Sequence, residues 1–179
     1  MNQKGFSMIE LAVAVSIMGI LVSMAIPNYI QQTANQRLKD DITNIRGDLQ
    51  MARMAAMANN SAVVVNFDVP AAGQYQMFLD NGVTGGTARN SMRDGCEPFL
   101  DYGGRPLIVM PCEPVPNGVT RALYEGIGIA AVPPNGTITI SFAPSGSRNS
   151  DVTTIALSND YGINRTIAVT PIGEVGEAM

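Results

Sequence analysis

The chain of 179 residues contains no histidine, which removes the usual general base, the Ser-His and Cys-His nucleophile pairs and the commonest transition-metal ligand. Charge is scarce as well. Only 15% of residues are Asp, Glu, Lys or Arg, and a formal charge of -4 offers no broad basic surface for a polyanion such as nucleic acid. Cysteine is limited to Cys96 and Cys112, in a Gly- and Pro-rich stretch and too far apart for the short C-x-x-C of zinc and redox sites. The length accommodates one globular core with an appendage rather than two full domains.

What the chain has in excess is apolar sequence, 46% of residues, much of it gathered near the N-terminus. From Phe6 to Ile26 it reads FSMIELAVAVSIMGILVSMAI. As a helix rising about 1.5 Å per residue, this run crosses the roughly 30 Å hydrocarbon core of a bilayer. Hydropathy alone leaves a secretory signal or an ordinary single-span anchor open. A signal has a shorter apolar region followed by a small-residue cleavage site, whereas Ile26-Pro27-Asn28-Tyr29 follows here, so the run reads as retained. Neither alternative explains Glu10, the only charged residue within it. A carboxylate at such depth costs on the order of 2.5-3.5 kcal/mol and calls for a partner.

Lys4-Gly5-Phe6-Ser7-Met8-Ile9-Glu10 resembles the processing site of type IV prepilins and pseudopilins. The resemblance implies cleavage after Gly5 by an inner-membrane prepilin peptidase, removal of the leader 1-5, and methylation of the new N-terminal Phe6. It also implies that Glu10 pairs with the N-terminal amine of a neighbouring subunit during assembly. Elementary electrostatics agrees, since opposite charges in a low dielectric attract strongly while either alone is penalised. Gly19 and Pro27 match positions between which the family's helix unwinds in the filament. Pro27 lacks an N-H and meets the carbonyl of Ser23, so a kink or local melting is expected on physical grounds too, and a routine kink in an anchor is the alternative. The resemblance implies a bacterial, single-pass inner-membrane protein with its C-terminal domain in the periplasm. Its expected partners are other pilin or pseudopilin subunits, the peptidase, the inner-membrane assembly platform and membrane lipid.

Beyond Pro27, Ile30, Ala34, Leu38, Ile42, Ile45, Leu49, Ala52 and Ala56 recur every three or four positions, the stripe of an amphipathic helix. Residues 27-60 therefore extend the anchor, 6-26, into one long helix. Arg37, Lys39, Asp40, Asp41, Arg46 and Asp48 read as solvated helix surface. From Ser61 the period changes to alternation. Val63, Val65 and Phe67 share a face, as do Tyr75, Met77 and Leu79 across the turn Pro70-Gly73. Ile138, Ile140 and Phe142, then Thr153-Leu157 and Ile163-Val169, supply further strands, with turns at Pro144-Gly146 and Asn159-Gly162. The expected fold is α+β: a long N-terminal helix packed against one antiparallel sheet in the domain 61-179. Residues 80-136 read as a long loop region, with short strands near Leu107-Met110 and Gly128-Val132.

Leu49-Ala56 with the Val-rich strand after it, Phe142-Gly146, and a terminal strand pair ending in Pro171-Ile172-Gly173 are similar to the H-type pseudopilins of type II secretion and to FimT-type minor pilins. DNA-binding FimT-type members carry arginines after the glycine matching Gly173. Here Glu174-Val175-Gly176-Glu177 follows, and two carboxylates repel phosphate. Gly126-Ala131 fits G-x-G-x-x-A without a βαβ frame and reads as a turn or strand. Asp80, Asn81, Asp94, Glu97 and Asp101 offer hard oxygen ligands, but at no compact calcium-loop spacing, so no metal or other cofactor is expected. An oxidising compartment makes a Cys96-Cys112 disulfide the simpler reading, with two unpaired small hydrophobes as the alternative. The expected function is that of a non-enzymatic structural subunit polymerising through its N-terminal helix into a type II secretion pseudopilus or a type IV pilus. A DNA-binding minor pilin acting in uptake and an anchored periplasmic enzyme using a carboxylate pair stand as alternatives.

Overall fold

The computed structural model describes residues 7-82, 86-91, 93, 96-101, 103-107, 119-129, 138-152 and 154-178. Gly5, Phe6, Asp94, Cys112 and Thr153, and the expected strand residues 108-110 and 130-132, lie outside them.

Helix α1 runs from Met8 to Asn59, 52 residues, without a break at Gly19 or Pro27. Ser7 caps it: its hydroxyl accepts from the Ile9 N-H, and Glu10 Oε2 accepts from the Ser7 N-H at 3.0 Å, a capping box that serves two otherwise orphaned donors. At the other end Asn60 takes a left-handed conformation, φ 48, and its N-H returns to the Ala56 and Met57 carbonyls. The helix then cannot continue, and the alternating pattern begins.

Two antiparallel sheets follow. The first contains β1 (Ala62-Phe67), β2 (Gln74-Asp80), β3 (Phe99-Leu100), β4 (Pro106-Leu107) and β7 (Ile138-Phe142) in the order β4-β3-β2-β1-β7, with β5 (Arg121-Ala122) also paired to β2. The second contains β6 (Ile127-Ile129), β8 (Thr154-Asn159), β9 (Asn164-Val169) and β10 (Val175-Ala178) in the order β10-β9-β8-β6. The expectation of a single sheet is thus corrected. β7 ends in the turn Ala143-Ser147, and Arg148 and Asn149 bond back to Pro171 and Ser141 (Arg148 N-H to the Pro171 carbonyl, Asn149 N-H to the Ser141 carbonyl) before the chain enters β8 in the other sheet.

The core explains why two sheets are needed. Leu38, Ile42, Ile45, Leu49, Ala52, Ala55 and Ala56 form the buried stripe of α1. Onto it pack Val63, Val65, Phe67, Ile138, Ile140 and Phe142 from the first sheet, and Ile155, Leu157, Ile167, Val169 and Val175 from the second. Each buried Leu or Ile of the helix is worth about 1.5-3 kcal/mol. Ala52, Ala55 and Ala56 let the strands approach closely where the sheets meet the end of the helix. β1 departs from simple alternation because its second face is covered too: Val64 packs with Phe78, Phe99 and Val119 in a smaller cluster. The region expected to be a loop therefore contains four short strands, of which β3 and β5 had no legible signal, and its apolar residues Phe99 and Val119 cover the outer face of the first sheet.

The two sheets are joined at a tight corner. Gly173 has φ +80, and a Cβ there would sit 2.0 Å from the Gly146 carbonyl oxygen, which also accepts from Arg53 Nε of α1 at 3.0 Å. Gly173→Ala is expected to destabilise the protein by on the order of 2-4 kcal/mol, because both the left-handed backbone and the close approach oppose a side chain. A thermal midpoint in detergent unchanged from wild type would show that the corner relaxes freely.

Candidate assembly segment and its coupling to the domain

Residues Met8-Gln32 of α1 are exposed on every face, including Leu11, Val15, Met18, Leu21 and Met24. The polar side chains in this stretch turn back to the helix itself. Ser16 Oγ donates to the Ala12 carbonyl at 2.8 Å and Ser23 Oγ to the Ile20 carbonyl at 2.7 Å. That is the behaviour required where no water is available to serve a hydroxyl. It leaves Glu10 as the one ionisable group of the apolar run, held near the helix start by the Ser7 N-H. Gly19 meets nothing within 4 Å on its Cβ side, and Pro27 stands in the helix interior.

The distal half of the helix is locked to the domain by polar contacts as well as by its apolar stripe. Asp48 sits at the centre. Its Oδ2 accepts from the Tyr75 hydroxyl and lies 3.0 Å from Arg121 Nη1. Burial pushes the Asp48 carboxyl above the usual range, against the lowering pull of Tyr75 and Arg121. The same burial, with Asp48 alongside, raises the Tyr75 hydroxyl. Asp41 is only 3% exposed and accepts from the Tyr124 N-H at 2.9 Å, and desolvation raises its pKa. Asn159 Nδ2 donates to Asn35 Oδ1 at 2.8 Å, fixing the β8-β9 turn to the helix.

Asp41 and Asp48 correct the reading of the helix charges as plain solvated surface. The signal was present in the spacing: 38, 41, 45, 48 and 52 follow the three-four rhythm of one helix face, which places both aspartates beside the buried stripe. Their partners Tyr124 and Arg121 lie far along the chain and carry no local mark.

Of the carboxylates considered as calcium ligands, the three within the described residues, Asp80, Glu97 and Asp101, are committed to loop amides. Asp80 is buried and accepts from the N-H groups of Arg89 and Ser91, while Glu97, also buried, accepts from Gly82 N-H at 2.9 Å. Asp101 accepts from the Arg105 and Gly103 N-H groups and pairs with the Arg105 guanidinium. These contacts, the Arg105 amide foremost, hold its carboxyl below the usual range. Gly126 lies in the turn that leads into β6 (Ile127-Ile129), and Ala130 and Ala131 lie outside the described residues. In the tail, Val175-Ala178 forms β10, and its Glu177 pairs with Arg165 of the neighbouring β9 at 2.6 Å. Sequence alternation over four residues containing a glycine was too short to reveal that strand.

Arg121→Met removes the cation from a carboxylate that stays inside the fold, and at neutral pH a loss of roughly 3 kcal/mol is expected. Without Arg121 the folded-state pKa of Asp48 rises further above its unfolded value. The folded variant then binds the proton more tightly than the unfolded chain does, and its deficit against wild type narrows as pH falls towards the ordinary carboxylate range. Urea unfolding in detergent at pH 7 and pH 5 checks this, and an equal or wider gap at pH 5 would refute the assignment.

Residues 1-26 match the prokaryotic N-terminal methylation motif. Two curated relatives, each a "fimbrial protein" of Pseudomonas aeruginosa, are 28% identical over 92 residues, which is 51% of this chain; the chain spans 58% of their length. Among solved structures, the type IV minor pilin FimU of Pseudomonas aeruginosa superposes with a TM-score of 0.51 at 11% identity, over 81% of this chain and 90% of FimU. The minor pseudopilin EpsH from the type 2 secretion system of Vibrio cholerae gives a TM-score of 0.46 at 11% identity, over 78% of this chain and 94% of EpsH. The chain thus carries the N-terminal methylation motif, and its long helix packed on antiparallel sheets has a fold similar to that of FimU.

Proposed function

We propose that the chain is a structural minor pilin or pseudopilin. It is cut between Gly5 and Phe6 by a prepilin peptidase, methylated on Phe6, and anchored by residues 6-26 in the inner membrane with its β domain in the periplasm. From there the inner-membrane assembly platform takes it into a filament with other pilin subunits, either a type II secretion pseudopilus or a type IV pilus. The protein works mechanically and not as an enzyme.

The observation that carries this reading is a single helix with two different solvents. Its distal half is the seam of the core, and its proximal half is apolar on every face and holds one carboxylate. A helix apolar all round needs lipid or other helices around it. Bundling such helices from successive subunits satisfies the apolar faces, and pairing Glu10 with the amine of a neighbour's Phe6 removes the cost of each buried charge. Gly19 and Pro27 are the positions where the helix yields during packing, since one contributes no side chain and the other no hydrogen-bond donor. The filament reading rests on the N-terminal motif and the fold. The carboxylates of β10 and its flank, Glu174 and Glu177, lend nothing to nucleic-acid binding.

Glu10→Ala is expected to give a folded, processed protein, with intact mass matching a methylated chain that begins at Phe6, that fails to enter filaments. Incorporation at wild-type levels would remove the pairing role, and a mass that retains residues 1-5 would remove the processing site.

A disulfide between Cys96 and Cys112 belongs to the same reading, supported by the absence of any free thiol among the described residues. In the chain-entropy picture, closing a loop of this length contributes about 3 kcal/mol to a region with little apolar patterning. The protein denatured without reductant is expected to resist alkylation at both positions, and complete labelling would exclude the bridge.

A further inference from the structure

At the base of the β domain lies an open groove of about 330 Å³ between α1 and two turns. Tyr29, Ile30 and Arg37 line it from the helix, and Glu125, Asp160 and Tyr161 from the turns before β6 and after β8. Tyr29 is 72% exposed, Tyr161 48% and Ile30 50%. We infer that this base rests on the membrane surface, with the headgroups of zwitterionic phospholipids as its ligand. The inference depends on the reading that residues 6-26 span the bilayer.

The height of the base follows from the helix. An anchor ending at Ile26 places Tyr29 and Ile30 about 5-6 Å further along the axis, within a headgroup layer that is roughly 5-8 Å deep. The turns are fixed to α1 higher up, at Asn35, about 13-14 Å past Ile26, and line the groove down to Tyr29 and Ile30. Asn159, only 6% exposed, donates to Asn35 and accepts from the N-H groups of Tyr161 and Ile163, so the turn carrying Asp160 and Tyr161 has a fixed height on α1. Gly126, φ +83, brings the other turn against it: a Cβ there would lie 2.6 Å from Asp160 Oδ2.

The chemistry of the groove matches the layer it reaches. Tyrosine combines an apolar ring with a hydroxyl that needs water or a headgroup, which is why it concentrates at membrane interfaces. Asp160 and Glu125, which line the groove opposite Tyr29 and Ile30, offer carboxylates to a headgroup ammonium. With two carboxylates against one guanidinium, a zwitterionic lipid fits and an anionic one is repelled. The base is continuous with the anchor, so docking requires no additional ordering of the chain.

The chain contains no tryptophan, so a single introduced indole reports its own depth. Full-length Y161W is placed in vesicles at low protein-to-lipid ratio, beside M18W in the apolar segment and I172W at the far corner of the domain. Lipids spin-labelled at the headgroup are expected to quench Y161W several-fold more than I172W, and more strongly in phosphatidylethanolamine-phosphatidylcholine vesicles than in phosphatidylglycerol. Lipids labelled deep in the acyl chain are expected to quench M18W. If M18W is quenched while Y161W behaves like I172W, the docking inference fails and the anchor stands. If M18W is not quenched, the anchor reading fails and takes this inference with it. Quenching of Y161W that occurs only at high protein density would assign the groove to a neighbouring subunit and overturn the lipid assignment. Thermal midpoints equal to wild type establish that each variant is folded.

Discussion

The structure depends on the burial of one stripe of one helix. Leu38, Ile42, Ile45 and Leu49, continued by Ala52, Ala55 and Ala56, are the surface that both sheets share. β1 and β7 approach the stripe from one side and β8, β9 and β10 from the other, so α1 is the element through which the two sheets form one core. Without the stripe, the two sheets would each present an uncovered apolar face to water.

That arrangement ties the domain directly to the exposed apolar segment. The seam of the core and the exposed apolar segment belong to one helix, so no loop separates residues 8-32 from the β domain. The polar ties at Asn35, Asp41, Asp48 and Arg53 are distributed along the distal half and oppose sliding and rotation of the helix under the sheets. Apolar contacts alone resist separation strongly but specify register weakly. Directional bonds from four levels of the helix supply that register.

The loop-rich middle of the chain is organised on a different principle. Its apolar residues follow no helical or strand period, and buried carboxylates organise the turns: Asp80 and Glu97 gather the amides of residues that lie close in space but not in sequence. Arg93, 4.1 Å above the Phe99 ring, closes the side of the smaller cluster. Carboxylates that in sequence resemble a scattered set of cation ligands thus work as internal caps for turns.

The sequence by itself determined the elements whose signal is local and periodic. The N-terminal apolar segment is legible because its length and composition meet what a bilayer requires of a spanning helix, the distal helix because the stripe repeats every three or four residues, and β1, β2, β7, β8 and β9 because side chains alternate across a pleat. Gly5, Phe6 and Glu10 stand out because the N-terminal methylation motif they fall in is contiguous in the chain. Tertiary structure alone decided what depends on partners distant in sequence. Whether the strands make one sheet or two is set by which faces reach α1. The short strands β3 and β5 exist because β2 offers an edge, and β10 because β9 does. Asp41 and Asp48 are buried ties rather than surface charges only because Tyr124, Tyr75 and Arg121 arrive opposite them. Periodicity records which face of an element avoids water, but it carries no information on which other element will cover that face.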